Sequence, residues 1–197
     1  MRYALLPLLL TLTLVGCTSS GGESAAVDEL DRWTFPDDAA GFTQLSFELD
    51  RDTRTVIVSY KLAEPNILVT VYVYPAETIV SIASNQEVRE TAARLLTERE
   101  FEASQRALVS SNPGVQLLWE DRDANIEIGG QMRTGFGAGY GFLGALPGGE
   151  PEPIGTYLFL YRYEDWSVKY RFTFALDEED GNAALVLNLI QAIPWPE

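Results

Sequence analysis

The chain has 197 residues and carries 14 Lys and Arg against 29 Asp and Glu, a net charge of −15 at neutral pH. This acidic balance argues against binding to nucleic acid or to anionic lipid headgroups, because both need a basic surface. The sequence has no histidine and one cysteine, which excludes Ser-His and Cys-His catalysis, haem ligation by histidine and the usual zinc sites. We therefore expect no metal and no cofactor.

The first 17 residues carry the most specific motif of the chain. Arg2 precedes an apolar run that falls well short of the roughly 20 residues needed to span a bilayer, as is typical of a signal peptide. The run ends in Leu14-Val15-Gly16-Cys17. This ending resembles the lipobox of bacterial lipoproteins, in which the signal peptide is removed and the cysteine is acylated. The alternative is a signal peptide that is cleaved without lipidation.

The resemblance implies a signal peptide over residues 1–16 and a lipid anchor at Cys17. It also implies the outer membrane, with the domain facing the periplasm, because Thr18 rather than Asp follows the cysteine. Removal of residues 1–16 takes away one charged residue, Arg2, and leaves 13 basic against 29 acidic side chains, a net charge of −16. Lipid rather than charge therefore has to hold the protein at the membrane.

A tether and a single domain are predicted after the signal peptide. Residues 17–30 comprise the acylated cysteine and a small, polar stretch that is typical of a flexible linker. Residues 31–197 are sufficient for one packed domain. Trp33 and Phe35 lie in an acidic stretch at its start, and we expect both rings to dock on the domain.

The first half of the domain predicts a three-stranded meander and a long helix. Alternation and turn residues place strands at 43–49, 55–62 and 67–74, the last of which is apolar on both faces and therefore central. Helical periodicity runs over 86–110, before Asn112-Pro113-Gly114 ends it. The side of this helix expected to face the core bears Val88, Ala92, Leu95, Leu96, Ala103 and Ala107, with Phe101 and Leu108 on the other side.

Glycine dominates the segment that follows, since residues 129–149 hold 9 of the 16 glycines. A hairpin over 115–122 and 125–134 is predicted before it, with its turn at Asp123-Ala124. A phosphate-binding loop is excluded, because such a loop needs a helix N-terminus after its glycines and here a strand follows. We interpret the segment as a mobile hairpin loop or an irregular edge strand, or as a partner-binding loop with Phe136, Tyr140 and Phe142 as its aromatic side chains.

The clearest hairpin joins strands at 156–163 and 166–174 through a two-residue turn, Glu164-Asp165. One face of this hairpin carries a basic cluster, Arg162, Lys169 and Arg171, and the other face is apolar. The cluster either pairs with surrounding carboxylates or binds an anion or an acidic partner. The predicted register places apolar pairs at four levels on one face: Tyr163 with Trp166, Tyr161 with Val168, Phe159 with Tyr170, and Tyr157 with Phe172.

Together these elements predict an α+β fold: an antiparallel sheet of about seven strands, with the long helix and a buried C-terminal helix over 183–193 packed on it. The strand WSVKYRFTF and the last helix followed by IPWP resemble small secreted bacterial domains of the PsbP/Mog1-like α-β-α type. This resemblance is one of pattern and element order. It transfers no catalytic residue and implies a binding or accessory role.

We therefore expect a non-catalytic cell-envelope lipoprotein that binds another envelope protein or supports an assembly. The alternative is a periplasmic carrier of a small apolar ligand held between helix and sheet. A carrier needs a cavity of roughly 300 Å³ or more, whereas a scaffold is packed solid. The carrier's cavity would be lined by Tyr157, Phe159, Tyr161 and Tyr170.

Overall fold

The computed structural model describes residues 29–78, 85–146, 149–176 and 179–196 of the chain. The predicted signal peptide, Cys17 and almost all of the predicted tether lie outside these ranges. Within them, no helix is both long enough and apolar enough to cross a bilayer.

One antiparallel sheet of eight strands forms the centre of the fold, in the order β1-β2-β3-β4-β8-β7-β6-β5. This order describes two meanders, β1 to β4 and β5 to β8, which are joined where β4 pairs with β8. The strands are β1 (Asp38–Ala39), β2 (Phe42–Asp50), β3 (Thr55–Leu62), β4 (Ile67–Pro75), β5 (Gln116–Ile128), β6 (Gln131–Gly144), β7 (Glu152–Tyr163) and β8 (Trp166–Ala175).

Besides the helical residues Glu29 and Leu30, two helices accompany the sheet in the described ranges: α1 (Gln86–Ser111) and α2 (Glu179–Ala192). Helix α1 connects the two meanders. Its N-cap is Asn85, whose side-chain oxygen accepts a hydrogen bond from the backbone N–H of Glu87 at 2.9 Å. The predicted α+β fold class is confirmed, and the strand beyond the expected seven is the two-residue β1.

The predicted register of the last hairpin is confirmed. Glu164 and Asp165 form the two-residue turn, and Glu164 has the positive φ of 52° that such a turn requires. All four predicted apolar pairs are present between β7 and β8, from Tyr163 with Trp166 to Tyr157 with Phe172. Local turn geometry therefore sets which side chains of β8 reach each face of the sheet.

The two faces of the sheet are covered differently. The aromatic face packs against α2 and against Trp33 and Trp195 from the two ends of the described chain, and it forms the main hydrophobic core. The Trp33 ring lies 5.7 Å from Tyr163, which confirms that this tryptophan docks on the domain. Phe35 is half-buried against Phe47, with 6.1 Å between ring centroids. The aromatic face is defined by Tyr157, Phe159, Tyr161, Tyr170 and Phe172.

The opposite face, here named the groove face, bears Leu158, Leu160, Lys169 and Arg171. Helix α1 packs on it over β6 and β7, where Phe101 stacks on Phe136 with 5.5 Å between centroids. The same face of β3 and β4 is only half-buried. One side of the sheet is thus closed and the other is partly open.

Helix α1 is turned the opposite way from the prediction. Phe101 and Leu108 are buried against the sheet, at 1% and 6% exposure, whereas Val88 and Leu95 are 49% and 59% exposed. The larger apolar side chains fill the space above Phe136, and the alanine-rich stripe is left outside that contact. Helical periodicity identifies apolar stripes on α1, but it does not show which of them packs against the sheet.

The predicted turn at Asp123-Ala124 is also wrong. Both residues lie inside β5, next to an irregularity between Asp121 and Ala124. The turn is made instead by Gly129 and Gly130, whose φ values of 58° and 75° suit a two-residue hairpin turn. Glycine adopts this left-handed backbone without the steric cost that alanine would incur.

The glycine-rich segment is a buried strand rather than a mobile loop or an edge strand. Its residues Gln131–Gly144 are β6, which lies between β5 and β7. Gly135, Gly137 and Gly139 alternate along β6 on the aromatic face, opposite Tyr161, Phe159 and Tyr157. Their missing side chains make room for aromatic rings, since a Cβ on Gly139 would lie 2.1 Å from Nε1 of Trp119.

We expect Gly139→Ala to lower the free energy of unfolding by roughly 1–3 kcal/mol, as overpacking of a core does. Gly141→Ala is the matched control in the same strand and on the same face. Its Cβ would meet the side chains of Leu118 and Leu176 at 3.5–3.6 Å, an ordinary contact. Denaturant unfolding of the two variants measures the difference, and equal stabilities would contradict the packing of Trp119 on β6.

Candidate functional site

A groove runs between α1 and the sheet, and the ion pairs that join α1 to the sheet in the described residues lie along one side of the helix. On that side Arg94 pairs with Asp123 at 2.8 Å and donates to the carbonyl of Arg122 at 2.9 Å. Arg122 in turn pairs with Glu98 of α1. These contacts all reach β5 at one edge of the sheet. On its other side α1 is joined to β4 and β8 by hydrogen bonds to Glu100, and among the described residues it has no ion pair to either strand.

Small side chains on the free side of α1 leave the groove open. Ala103, Ser104, Ala107 and Ser111 of the helix face a cavity of about 740 Å³. The floor comes from the centre of the sheet, with Tyr72 and Tyr74 of β4 beside Lys169 and Arg171 of β8.

Lys169 and Arg171 are half-buried in this floor. The Nζ of Lys169 lies 4.7 Å from the ring centroid of Tyr72 and 5.3 Å from that of Tyr74, a cation–π arrangement. The Nε of Arg171 is buried and has no hydrogen-bond partner. Neither side chain has an ion pair within the described part of the chain.

Glu100 of α1 lines the same groove as Lys169 and Arg171, and its charge acts on Lys169. It accepts hydrogen bonds from the hydroxyl of Tyr74 and, at 2.7 Å, from the Oγ of Ser167. Burial and the charge of Glu100 raise the pKa of Tyr74, so its hydroxyl remains a donor. Two neutral donors thus hold Glu100 in place, and Glu100 has no ion pair among the described residues.

Burial lowers the pKa of Lys169 from its ordinary value, Glu100 opposes this shift, and the positive charge of Arg171 adds to it. Desolvation penalises the ammonium form, and the surrounding protein does not fully compensate that penalty. An anion in the groove would supply the missing compensation.

Only two of the three predicted basic residues line this groove. Arg162 is already engaged: its Nε donates to the carbonyl of Glu164 at 2.9 Å and a terminal nitrogen donates to the carbonyl of Glu77 at 3.1 Å. Its guanidinium also lies 3.8 Å from Asp165. Arg162 therefore ties the β7–β8 turn to the end of β4, and the anion-binding hypothesis is restricted to Lys169 and Arg171.

The predicted aromatic partner site is not a surface. Phe136 and Tyr140 are buried beneath α1 at 2% and 3% exposure. Phe142 is half-buried further along β6. Because β6 is an internal strand, alternate side chains are enclosed by the helix rather than offered to a partner.

The aromatic lining predicted for a carrier is wrong for the same structural reason. Tyr157, Phe159, Tyr161 and Tyr170 lie on the aromatic face, away from the groove, and are packed among each other and α2. The hydroxyl of Tyr170 accepts a hydrogen bond from Trp195 at 3.0 Å inside this core. Burial raises the pKa of Tyr170, so this hydroxyl stays neutral.

Sequence reasoning missed Tyr72, Tyr74 and Glu100. The two tyrosines share a face of β4 by simple alternation, but only the β4–β8 register places Tyr72 opposite Lys169. Glu100 reaches this position because α1 crosses the sheet there. Among the described residues, no group of three or more His, Cys, Asp or Glu is arranged to hold a metal ion.

We expect Lys169 to titrate below the ordinary range of lysine, and Glu100→Gln to lower its pKa further, because the charge of Glu100 favours the ammonium form. The chain has two lysines, Lys61 and Lys169, so carbon NMR of the lysine side chains resolves both. Glu102→Gln is the control, because Glu102 faces Arg122 and Arg106 instead. A higher pKa in Glu100→Gln would contradict the arrangement.

No protein-family model matches the sequence, and no curated protein matches it either. Among solved structures, the fold is similar to the Saccharomyces cerevisiae Ran-binding protein Mog1p, at 13% identity, covering 77% of this chain and 93% of that one, with a TM-score of 0.31. A mutant of protein Mog1 is similar at 14% identity, 77% and 92% coverage and the same TM-score of 0.31. The architecture given above rests on the strand order and register of this chain itself.

Proposed function

We propose that this chain is a non-catalytic lipoprotein of the cell envelope whose domain binds an envelope protein through an anionic group seated in the groove. One observation carries the binding half of this proposal. Lys169 and Arg171 are half-buried side by side without an ion pair among the described residues, in a chain with 29 acidic residues. Although the chain is rich in carboxylates, these two cations remain available to an anionic group of a partner.

The energetic argument is one of compensation. Removing a charge from water is costly unless a partner charge or hydrogen bonds replace the lost hydration. Lys169 has two aromatic rings beside it, and Arg171 has a buried N–H with no acceptor. An incoming anion would satisfy both groups, so its binding would offset the free energy of desolvation of these two cations.

The open shape of the site supports a protein partner over an enclosed ligand. Beyond the groove, the same face of β3 and β4 presents half-buried residues such as Ile57, Ser59 and Thr70. A partner seated on Lys169 and Arg171 can continue across this surface. The carrier hypothesis is less well supported, because the groove is charged and the aromatic residues predicted to line it lie on the other face.

The part of the proposal that concerns the cell envelope rests on the lipobox-like motif Leu14-Val15-Gly16-Cys17. This residue is the only cysteine of the chain and occupies the position that a lipobox requires. A lipid anchor and a tether would hold the domain close to partners in the same membrane. We place it at the outer membrane, facing the periplasm.

For the anchor, we expect Cys17→Ser to abolish incorporation of labelled palmitate and to release the protein from the membrane fraction. The acyl chains supply the membrane affinity, and the strongly acidic domain does not. Ser19→Ala is the control, since it alters the same segment and keeps the thiol. A Cys17→Ser protein that still pellets and resists a salt wash would contradict the lipoprotein assignment.

For the groove, we expect a photo-crosslinking residue at Ala107 to capture a discrete envelope protein in cells. The double variant Lys169→Met/Arg171→Met should lower the adduct yield about tenfold or more, the loss expected when charge-assisted contacts are removed. A crosslinker at Val109, which is 50% exposed on the other side of α1, is the positional control. Equal capture from Val109, or capture that survives the double variant, would overturn the proposal.

A further inference from the structure

We infer that the groove selects a single carboxylate carried on an apolar body, and that it discriminates against a phosphate dianion. This inference rests on the proposed function and specifies the chemistry of the group that binds. It follows from the charge balance, the donor geometry and the apolar wall of the groove.

The charge balance of the groove suits one negative charge. Its lining contains three cationic side chains, Arg99, Lys169 and Arg171, and two acidic ones, Glu77 and Glu100. The net charge of the lining is therefore +1. Glu100 is held in place by Tyr74 and Ser167, so it cannot swing away from an incoming dianion without losing two hydrogen bonds.

The donors of the floor suit a planar carboxylate. Arg171 has an unsatisfied, buried Nε, and a guanidinium presents its N–H groups as a fork that matches two oxygens of a carboxylate or of a phosphate. The choice between these two anions therefore rests on the charge balance and on the apolar wall. Lys169 lies two residues away on the same face of β8, roughly 7 Å along the strand. It supplies a point charge beside the fork, while Arg99, exposed on α1, lies at the rim.

The wall next to these donors is apolar. Leu108 and Leu158 are buried at 6% and 3% exposure, and Ala103 and Ala107 of α1 complete the wall. A cavity of about 740 Å³ is large enough for an aliphatic or aromatic body beyond the carboxylate. Phosphate oxygens placed against these four apolar side chains would lose hydration without gaining donors.

A free organic acid and an acidic side chain flanked by apolar residues share this chemistry. Purified protein in detergent-free buffer at pH 7.5 is therefore titrated with two sets of probes, with binding followed by NMR. The first set is hexanoate, acetate, hexanol and hexyl phosphate, whose second ionisation is largely complete at this pH. The second set is an apolar peptide amide with one central Glu and its Gln counterpart.

We expect hexanoate to bind about tenfold or more tightly than acetate, hexanol and hexyl phosphate, with shifts at Lys169, Arg171 and Leu158. Lys169→Met/Arg171→Met should remove this preference. The control is Lys61→Met/Arg106→Met, which deletes the same charges at exposed positions. A preference for the Glu peptide over its Gln counterpart supports a protein source, and binding of hexanoate without the peptide supports a free acid.

The outcomes separate this inference from the proposed function. Tighter binding of hexyl phosphate than of hexanoate overturns carboxylate selectivity and leaves an anion-binding groove in place. Equal affinity for hexanol and hexanoate would show that the groove does not require a carboxylate. Equal affinity for acetate and hexanoate would show that it does not require an apolar body. Either result overturns the inference. If no anion binds and the double variant behaves as the parent, both the inference and the anion-binding groove of the proposed function fall.

Discussion

Pairing between β4 and β8 is the constraint on which the rest of the structure depends. It joins two meanders into one sheet through eight residue pairs, from Leu68 with Thr173 to Pro75 with Trp166. Because side chains alternate along a strand, this register directs Val71 and Tyr170 to one face and Tyr72 and Lys169 to the other. A shift of one residue would move Lys169 into the aromatic core. The core and the candidate site therefore depend on the same backbone hydrogen bonds.

The two faces of the sheet differ in packing: one carries the main core and the other carries the proposed binding groove. On the aromatic face, rings fill the space left by the glycines of β6, and the helix α2 and two tryptophans close it. On the groove face, α1 forms ion pairs toward β5 and contacts β4 and β8 through hydrogen bonds to Glu100, beside an open groove. Half-buried cations are tolerable there because the opposite face supplies most of the apolar burial. Occupation of the proposed groove would thus leave the main core undisturbed.

The parts of the fold that could be predicted are those with local causes. The two-residue turn at Glu164-Asp165 allows one register, so the pairing of Tyr157 with Phe172 followed from the sequence. Helix α1 begins after a capping residue, Asn85, and stops before Pro113 and Gly114. The burial of Phe101 could not be predicted, because it depends on Phe136, whose glycine-rich surroundings indicate a loop or an edge strand rather than an internal strand. Alternating glycines are informative only when the rings opposite them are known.

By itself, the sequence determined the acidic net charge, the absence of histidine, where its clearest hairpin turns and how that hairpin pairs. These properties depend on composition and on residues close together in the chain. The tertiary structure alone decided which basic residues remain available: Glu77 and the β7–β8 turn engage Arg162, while Lys169 and Arg171 lie beneath a helix that brings one fixed carboxylate, Glu100. Glu100 and Ser167 are 67 residues apart. Such a contact arises from strand order and helix crossing, which no local pattern encodes.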